Sequence, residues 1–514
     1  MKSVLQRKQK LFLLPVILLI AFFPISADET PEGFVYTDNG TEITITGYSG
    51  SSASIIIPQS IVGKPVTTIG PAAFATNLTI QSVFIPASVE RITVQAFQGC
   101  TNLESVTLET TGSPGLHEIG VMAFQNTALT QIFLPASFEL LAENAFEYCN
   151  NLTDIDVDPL NSVYKSTDGV VFSVSGETLI TYPRGRAGPY SIPDGVVTAG
   201  PSSFSTCQGL SSISFPPTLT TIDWYAFHGC SGLGSVTLPW TVKTLKQGAF
   251  YGSAIASIDF QVRSVGGLLF LGINIIEGYV FSNCNNLTSI LLPRTVTSIS
   301  PGAFADSIVL SSITVNSANE DYTSVEGALY DKSVTILHTW PFGKEDPTVF
   351  PSTLTTIGEY AFYSRADMSH IRLPDQIETI GTGAFMYCHG LTSIRIPPSV
   401  TLIQTAAFRY CSNLGSAFFA GSAAPELTVN KIDLTTTVFS DTASGFQIFF
   451  RQGASGYTTP TWYDYPCSSR ANYAPVLTAI GNKTVQAGQP ITFTIQATDT
   501  DEDTLSYAAT GNNL

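Results

Sequence analysis

Charge is what this chain has least of. Charged residues make up 12% of 514 positions, against about 25% in an average soluble domain, so much of the surface must be built from Ser, Thr, Asn and Gly. Positive charge is scarcer still. The 23 Lys and Arg stand against 40 Asp and Glu, a net charge of −17, which repels nucleic acid and anionic membrane surfaces. The five histidines are scattered at His117, His228, His338, His370 and His389, and none falls in an HExxH or CxxCH pattern. A GxSxG nucleophile elbow and a phosphate-binding P-loop are both missing. Close carboxylates such as Asp154 and Asp156 share one face of a strand-like segment, where solvated like charges are a simpler reading than acid–base chemistry. Nothing here points to an enzyme.

Long apolar runs are also missing, with one exception at the start. Lys2, Arg7, Lys8 and Lys10 precede an apolar stretch from Leu11 to Phe23, followed by Pro24 and Ile25-Ser26-Ala27. The stretch is short for ~30 Å of hydrocarbon and has the layout of an export signal, residues 1–27; an uncleaved N-terminal anchor is the alternative. Removal would take the net charge from −17 to −21. The expectation is a secreted or cell-surface chain with no membrane insertion after cleavage.

What the chain does have is repetition. Phenylalanine, usually after Ala, returns at 74, 97, 124, 146, 204, 227, 250, 281, 304, 362, 385 and 408, and six of the eleven intervals are 23 residues. Around it lies a fuller unit. In Ser393-Ile394-Arg395-Ile396, apolar and polar residues alternate with period 2, which predicts a short strand with Ile394 and Ile396 facing inward. Pro397 ends it, a second short extended piece follows Ser399-Val400-Thr401, and Ala384-Phe385 sits in a tight or 3₁₀-like turn that drops the ring into the core. A unit this small cannot bury its apolar face alone, but a stack of units can. The predicted fold is a solenoid of ~23-residue units, short parallel β-strands joined by turns, with β-hairpin inserts.

A longer period overlies the short one. Asn161, Tyr164, Gly169, Phe172, Tyr182 and Pro183 match Asn319, Tyr322, Gly327, Tyr330, Trp340 and Pro341 at an offset of 158 residues, and Phe146, Phe204, Phe227 and Phe250 map onto Phe304, Phe362, Phe385 and Phe408 by the same shift. This is a block duplication. Each matched insert reads as a hairpin, in the first copy from residues 169–172 and 178–182 around Ser175-Gly176. The intervals of 27 and 31 residues predict irregularity near 110–115 and 266–275.

These units resemble the BspA-like leucine-rich repeats of bacterial surface proteins. The resemblance covers roughly residues 33–470, including an opening segment with Ile43-Thr44-Ile45 and Gly63-Lys64-Pro65-Val66 and a closing one with Gly445-Phe446-Gln447-Ile448-Phe449-Phe450, Trp462 and Tyr465-Pro466. It implies a leucine-rich-repeat solenoid, export, and adhesion to an extracellular protein or glycan. The domain reading is a signal at 1–27, a capping segment at 28–70, repeats at 71–415, a closing segment at 416–470, and from 471 the start of a module similar to immunoglobulin- or cadherin-like domains. Such a β-sandwich needs ~100 residues, so a truncated one is expected. In it, Asp499, Asp501 and Asp503 with Glu502 form an oxygen-rich turn suited to Ca²⁺, or simply a solvated acidic turn.

Seven of the eight cysteines, at 100, 149, 207, 230, 284, 388 and 411, stand three residues after a repeat phenylalanine. Other repeats place mostly small residues there, which predicts a half-buried column of free thiols; pairing of Cys207 with Cys230 or Cys388 with Cys411 after export is the alternative. Zinc is excluded by spacing. Asn77, Asn151 and Asn286 each begin an Asn-Leu-Thr glycosylation sequon, though Asn as a turn former and Leu as core filler explain it as well.

In each strand the residue between the two buried positions should face solvent. That row includes Phe84, Phe133, Leu291, Arg372 and Arg395. The aromatics are of a type enriched at protein contacts, and Arg372 and Arg395 fall in neighbouring units, where two guanidinium forks could hold a carboxylate or sulfate or splay into water beside Asp375. The expectation is a ligand face, with a structural spacer or a non-catalytic accessory module of a larger protein as the alternatives.

Overall fold

The computed structural model describes residues 28–110, 115–266, 269–428, 437–470, 476–477 and 497–498. The chain is a β-solenoid of leucine-rich-repeat turns, and every regular element among the described residues is a strand. Each turn has three walls. Ser235–Leu238 forms the first, with Val236 and Leu238 buried and Thr237 outside. Pro239 stops it, and its carbonyl accepts from Val242 N–H at 3.0 Å, which swings the chain into the second wall, the two-residue strand Thr244–Leu245. This is the second extended piece expected from the repeat unit.

The third wall carries the phenylalanine and was only partly foreseen. In all twelve repeats the residues two before and two after the phenylalanine have positive φ, among them Tyr225, Tyr279, Tyr360, Tyr387 and Tyr410. Such backbone costs a non-glycine residue ~1–3 kcal/mol. Hydrogen bonds between turns offset it: Tyr225 N–H donates to Gln247 O at 3.0 Å, Phe227 N–H to Ala249 O at 2.7 Å and Gly229 N–H to Tyr251 O at 2.8 Å. Most turns repeat this pattern, so the N–H groups of one turn face the carbonyls of the next.

The rings stack in register, as Phe74–Phe97 at 4.8 Å, Phe227–Phe250 at 5.2 Å and Phe385–Phe408 at 5.1 Å. Phe439 extends the column by one ring, 5.1 Å beyond Phe408. The cysteines are wholly buried, rather than half-buried, and all eight are free thiols. Their place is set by hydrogen bonding as much as by size. Cys100 Sγ donates to Phe74 O at 3.0 Å, Cys230 to Phe204 O at 3.1 Å and Cys411 to Phe385 O at 3.0 Å, while Ser307 Oγ does the same for Phe281 O at 2.6 Å. Burial pushes Cys100 up to about 11 and Cys411 up to about 12, so these thiols stay protonated donors.

The solenoid is divided into three blocks, each opening on a three-stranded antiparallel meander that continues as a parallel ladder of mostly two-residue strands. The meanders are Asp28–Glu29, Phe34–Asp38 and Ile43–Tyr48; Tyr164–Thr167, Val170–Ser173 and Thr178–Thr181; and Tyr322–Val325, Ala328–Asp331 and Ile336–Thr339. The two later ones are the expected hairpins with one further strand in front. The buried side chains form three clusters that meet at the inserts. Where the interval lengthens to 31 residues, Arg263–Val265 and Leu269–Leu271 project as an antiparallel hairpin, and the adjoining rings, Phe250 and Phe281, lie 6.0 Å apart. The export signal at 1–27 and the acidic turn at 499–503 lie outside the described residues. No helix among the described residues is long and apolar enough to cross a membrane.

Candidate functional site on the outward row of the four-residue strands

The first wall presents one outward side chain per turn, and parallel pairing lines these up. Ile56 pairs with Phe84 and Phe84 with Thr107; Phe133 with Asp156; Thr237 with Asp259; Leu291 with Thr314. At the far end Arg395 pairs with Phe418, Phe418 with Phe449 and Phe449 with Ser468. Alternation along each strand makes this inevitable, because side-chain direction has period 2.

Three of the anticipated residues are where the pattern puts them. Phe133 is 39% exposed and Leu291 59%, while Phe84 is half-buried between Ile56 and Thr107. They fall in the first and second blocks, and the arginines in the third, so the five do not converge on one pocket. The arginine pair differs from expectation. Arg372 is exposed, but no strand forms at 370–373, so it makes no ladder partner for Arg395. Arg395 is only 7% exposed: its guanidinium turns onto the Asp375 carboxylate at 2.8 Å, a charge-assisted hydrogen bond. Asp375 was the neighbour foreseen for it, but the arginine is buried against a carboxylate that itself stays partly exposed, rather than splayed into water.

Sequence reasoning also stopped the row too early. Phe418 and Phe449 are half-buried on the outward face, with the Arg470 guanidinium carbon 5.8 Å from the Phe449 ring centroid. Ser416-Ala417-Phe418-Phe419 has the same Ser-first alternation as the repeats, the signal that would have found them. These strands belong to the largest sheet of the first wall, Ser393–Ile396, Ser416–Phe419, Gln447–Arg451 and Tyr465–Arg470 side by side with Thr461–Trp462 at the edge. Among the described residues, no group of three or more His, Cys, Asp or Glu side chains is arranged to hold a metal ion.

Comparison with known proteins places this geometry. The family model described as "BspA type Leucine rich repeat region (6 copies)" matches residues 67–179, 198–325 and 346–444, about two-thirds of the chain. A leucine-rich repeat protein from Bacteroides ovatus is 18% identical, covering 86% of this chain and 99% of its own, with a TM-score of 0.36. A leucine rich cell surface protein from Faecalibacterium prausnitzii is 23% identical over 81% of this chain and 94% of its own, TM-score 0.30. The pneumococcal vaccine antigen PcpA is 17% identical over 84% and 90%, TM-score 0.30. No curated protein matches the chain.

Proposed function

We propose, from the premise that this chain belongs to the BspA-type leucine-rich-repeat family, that it is an exported, surface-displayed binding protein whose outward strand row holds an extracellular protein or glycan. The observation that carries this reading is the row itself: Phe133 and Leu291 exposed, then Phe418 and Phe449 on neighbouring strands beside Arg470. Partly exposed aromatics on a rigid, charge-poor sheet give contact area at small entropic cost. Phe84, Arg372 and the Arg395–Asp375 pair flank the apolar positions as polar and aromatic edges of the same face. A purified protein tested on acidic glycans and matrix proteins should lose at least tenfold in affinity, about 1.4 kcal/mol, when Phe418 and Phe449 are both changed to Ser. Unchanged affinity after Phe133→Ser and Leu291→Ser are added would remove this face as the binding surface.

The domain order we propose is the one read from composition: export signal 1–27, cap 28–70, repeats 71–415, closing segment 416–470, and an immunoglobulin- or cadherin-like module beginning at 471. The antiparallel pairing of Val476–Leu477 with Ala497–Thr498 supports strands in that last part. In it Asp499, Asp501 and Asp503 would hold Ca²⁺; calorimetric titration with millimolar calcium tests it, and absence of heat ends it. The spacer reading draws on the dispersal of the exposed apolar residues over three blocks, and retained adhesion by a chain lacking this row would favour it.

A further inference from the structure

The turn ladder has two ends inside the molecule, one at each insert. In the regular stack, N–H groups at the left-handed turn donate to the next turn. After Phe146 the next turn is replaced by the insert, and among the described residues no hydrogen bond is formed by the N–H groups of Asn144, Phe146 and Tyr148. Asn144 and Tyr148 have φ of 59° and 58°, the left-handed turn whose alternate N–H groups point to the next turn elsewhere in the stack.

Asn144 and Phe146 border a cavity of about 200 Å³ between the first and second blocks, lined also by Ala142, Glu143, Arg184 and Ser202 among others. Arg184 is 4% exposed. Its Nη1 donates to Tyr182 O at 2.6 Å, Ser203 O at 3.1 Å and Thr181 Oγ1 at 3.3 Å, and its Nη2 to Ser202 O at 2.9 Å, while Nε is buried without a partner. All four acceptors are neutral. The other two buried arginines have carboxylates, Arg365 with Asp346 at 2.8 Å and Arg395 with Asp375 at 2.8 Å. Arg184 forms no ion pair among the described residues. Glu147 accepts from Gln125 at 2.6 Å. Glu143 stands at the rim, where burial and the nearby Asp223 push its carboxyl above the usual range. A buried cation without a counterion is costly, and the cost falls when an anion occupies the adjoining space.

We propose that this inter-block cavity is a binding site for one small oxyanion of the sulfate or phosphate class, held by the buried Arg184 charge and the amides of Asn144 and Phe146. The volume is below the ~300 Å³ at which drug-sized ligands are held, which limits the occupant to a free ion or one head group. The site is independent of the outward strand row, since it lies where turns meet end to end.

The full chain is titrated calorimetrically with sodium sulfate, sodium phosphate and glucose 6-sulfate, against sodium chloride at equal ionic strength. The expected result is saturable binding of one ion per chain, with a Kd of about 1 mM or tighter, and a melting temperature that rises with anion concentration. Glucose 6-sulfate binding as well as free sulfate would assign the site to carried head groups, and its exclusion would assign it to free ions. Ala142→Trp, which fills the cavity and leaves Arg184 in place, should abolish the heat; Arg184→Gln should weaken binding at least tenfold. No saturable heat with either inorganic anion, or undiminished binding in Ala142→Trp, overturns the proposal.

Discussion

The second and third blocks are copies of one design at an offset of 158 residues, and their openings show what was kept and what drifted. Asn161 and Asn319 do the same work. Asn161 Nδ2 donates to Pro135 O and Phe138 O at 2.9 and 2.8 Å, and its Oδ1 accepts from Val163 and Tyr164 N–H at 2.9 and 2.8 Å. Asn319 donates to Pro293 O and Val296 O at 3.1 and 2.8 Å and accepts from Asp321 and Tyr322 N–H at 2.9 and 2.7 Å. The buried guanidinium was kept as a group but not as a residue. In the second block it comes from Arg184, beside Cys207. In the third, Phe342 stands where Arg184 does, and Arg365 stands where Cys207 does. Arg365 reaches Pro341 O and Lys344 O, both at 2.8 Å, with its guanidinium carbon 5.9 Å from the Phe342 ring. At each block opening one guanidinium gathers several carbonyls as a strong multiple donor, but a different backbone position supplies it. The exchange also moves the charge: Arg365 is neutralised by Asp346, and Arg184 faces a cavity.

The largest test of this equivalence is the ring column. Phe227→Ala and Phe385→Ala, both at wholly buried positions, should each cost roughly 3–5 kcal/mol by denaturant unfolding, and a clear inequality would show that the copies no longer pack alike. Next, Asn161→Ala and Asn319→Ala should cost about 2–3 kcal/mol each, because buried carbonyls and amides lose their partners. A smaller effect is expected from exchanging the guanidinium. Arg184→Phe alone should cost about 1–3 kcal/mol through the hydrogen bonds it removes from Tyr182 O, Ser202 O and Ser203 O, and adding Cys207→Arg should recover part of that. A double-mutant cycle with no coupling would refute the exchange.

The smallest effect concerns acid. Burial lowers the pKa of His228 in the second block and of His338 in the third, and their counterparts across the offset are Met386 and Ile180. A histidine with a depressed folded pKa binds fewer protons folded than unfolded. Its stability contribution is therefore full above the unfolded value near 6.5 and is lost as pH falls toward the folded value. The melting temperature should drop between pH 7 and 5, and His228→Met should shallow that drop; an unchanged slope would exclude His228 as a source.

Much of this was open to reading from residues alone. The strands at Ser235–Leu238 and Ser393–Ile396, the phenylalanine column, the 158-residue copy and the hairpins all follow from period and spacing. The role of the cysteines did not, because small size and donor capacity both describe Cys and Ser; only the carbonyl of the preceding turn, 3.0 Å from Cys100 Sγ, tells them apart. Arg395 was placed correctly along its strand, yet its burial depends on Asp375, twenty residues earlier, and on a neighbouring unit that fails to form a strand. Phe418 and Phe449 were missed because the outward row was read only as far as Arg395.

Sequence by itself determined the unit, its wall order, the faces of its strands and the stacking of its phenylalanines, because these depend on local alternation and on a repeat too small to bury its own core. Tertiary structure alone decided where the stack is interrupted, which amides and carbonyls are left over there, and which arginine finds a carboxylate. Those are matters of contact between turns distant in the chain, and hydrogen-bond satisfaction across such a gap has no periodic signature in the residues on either side.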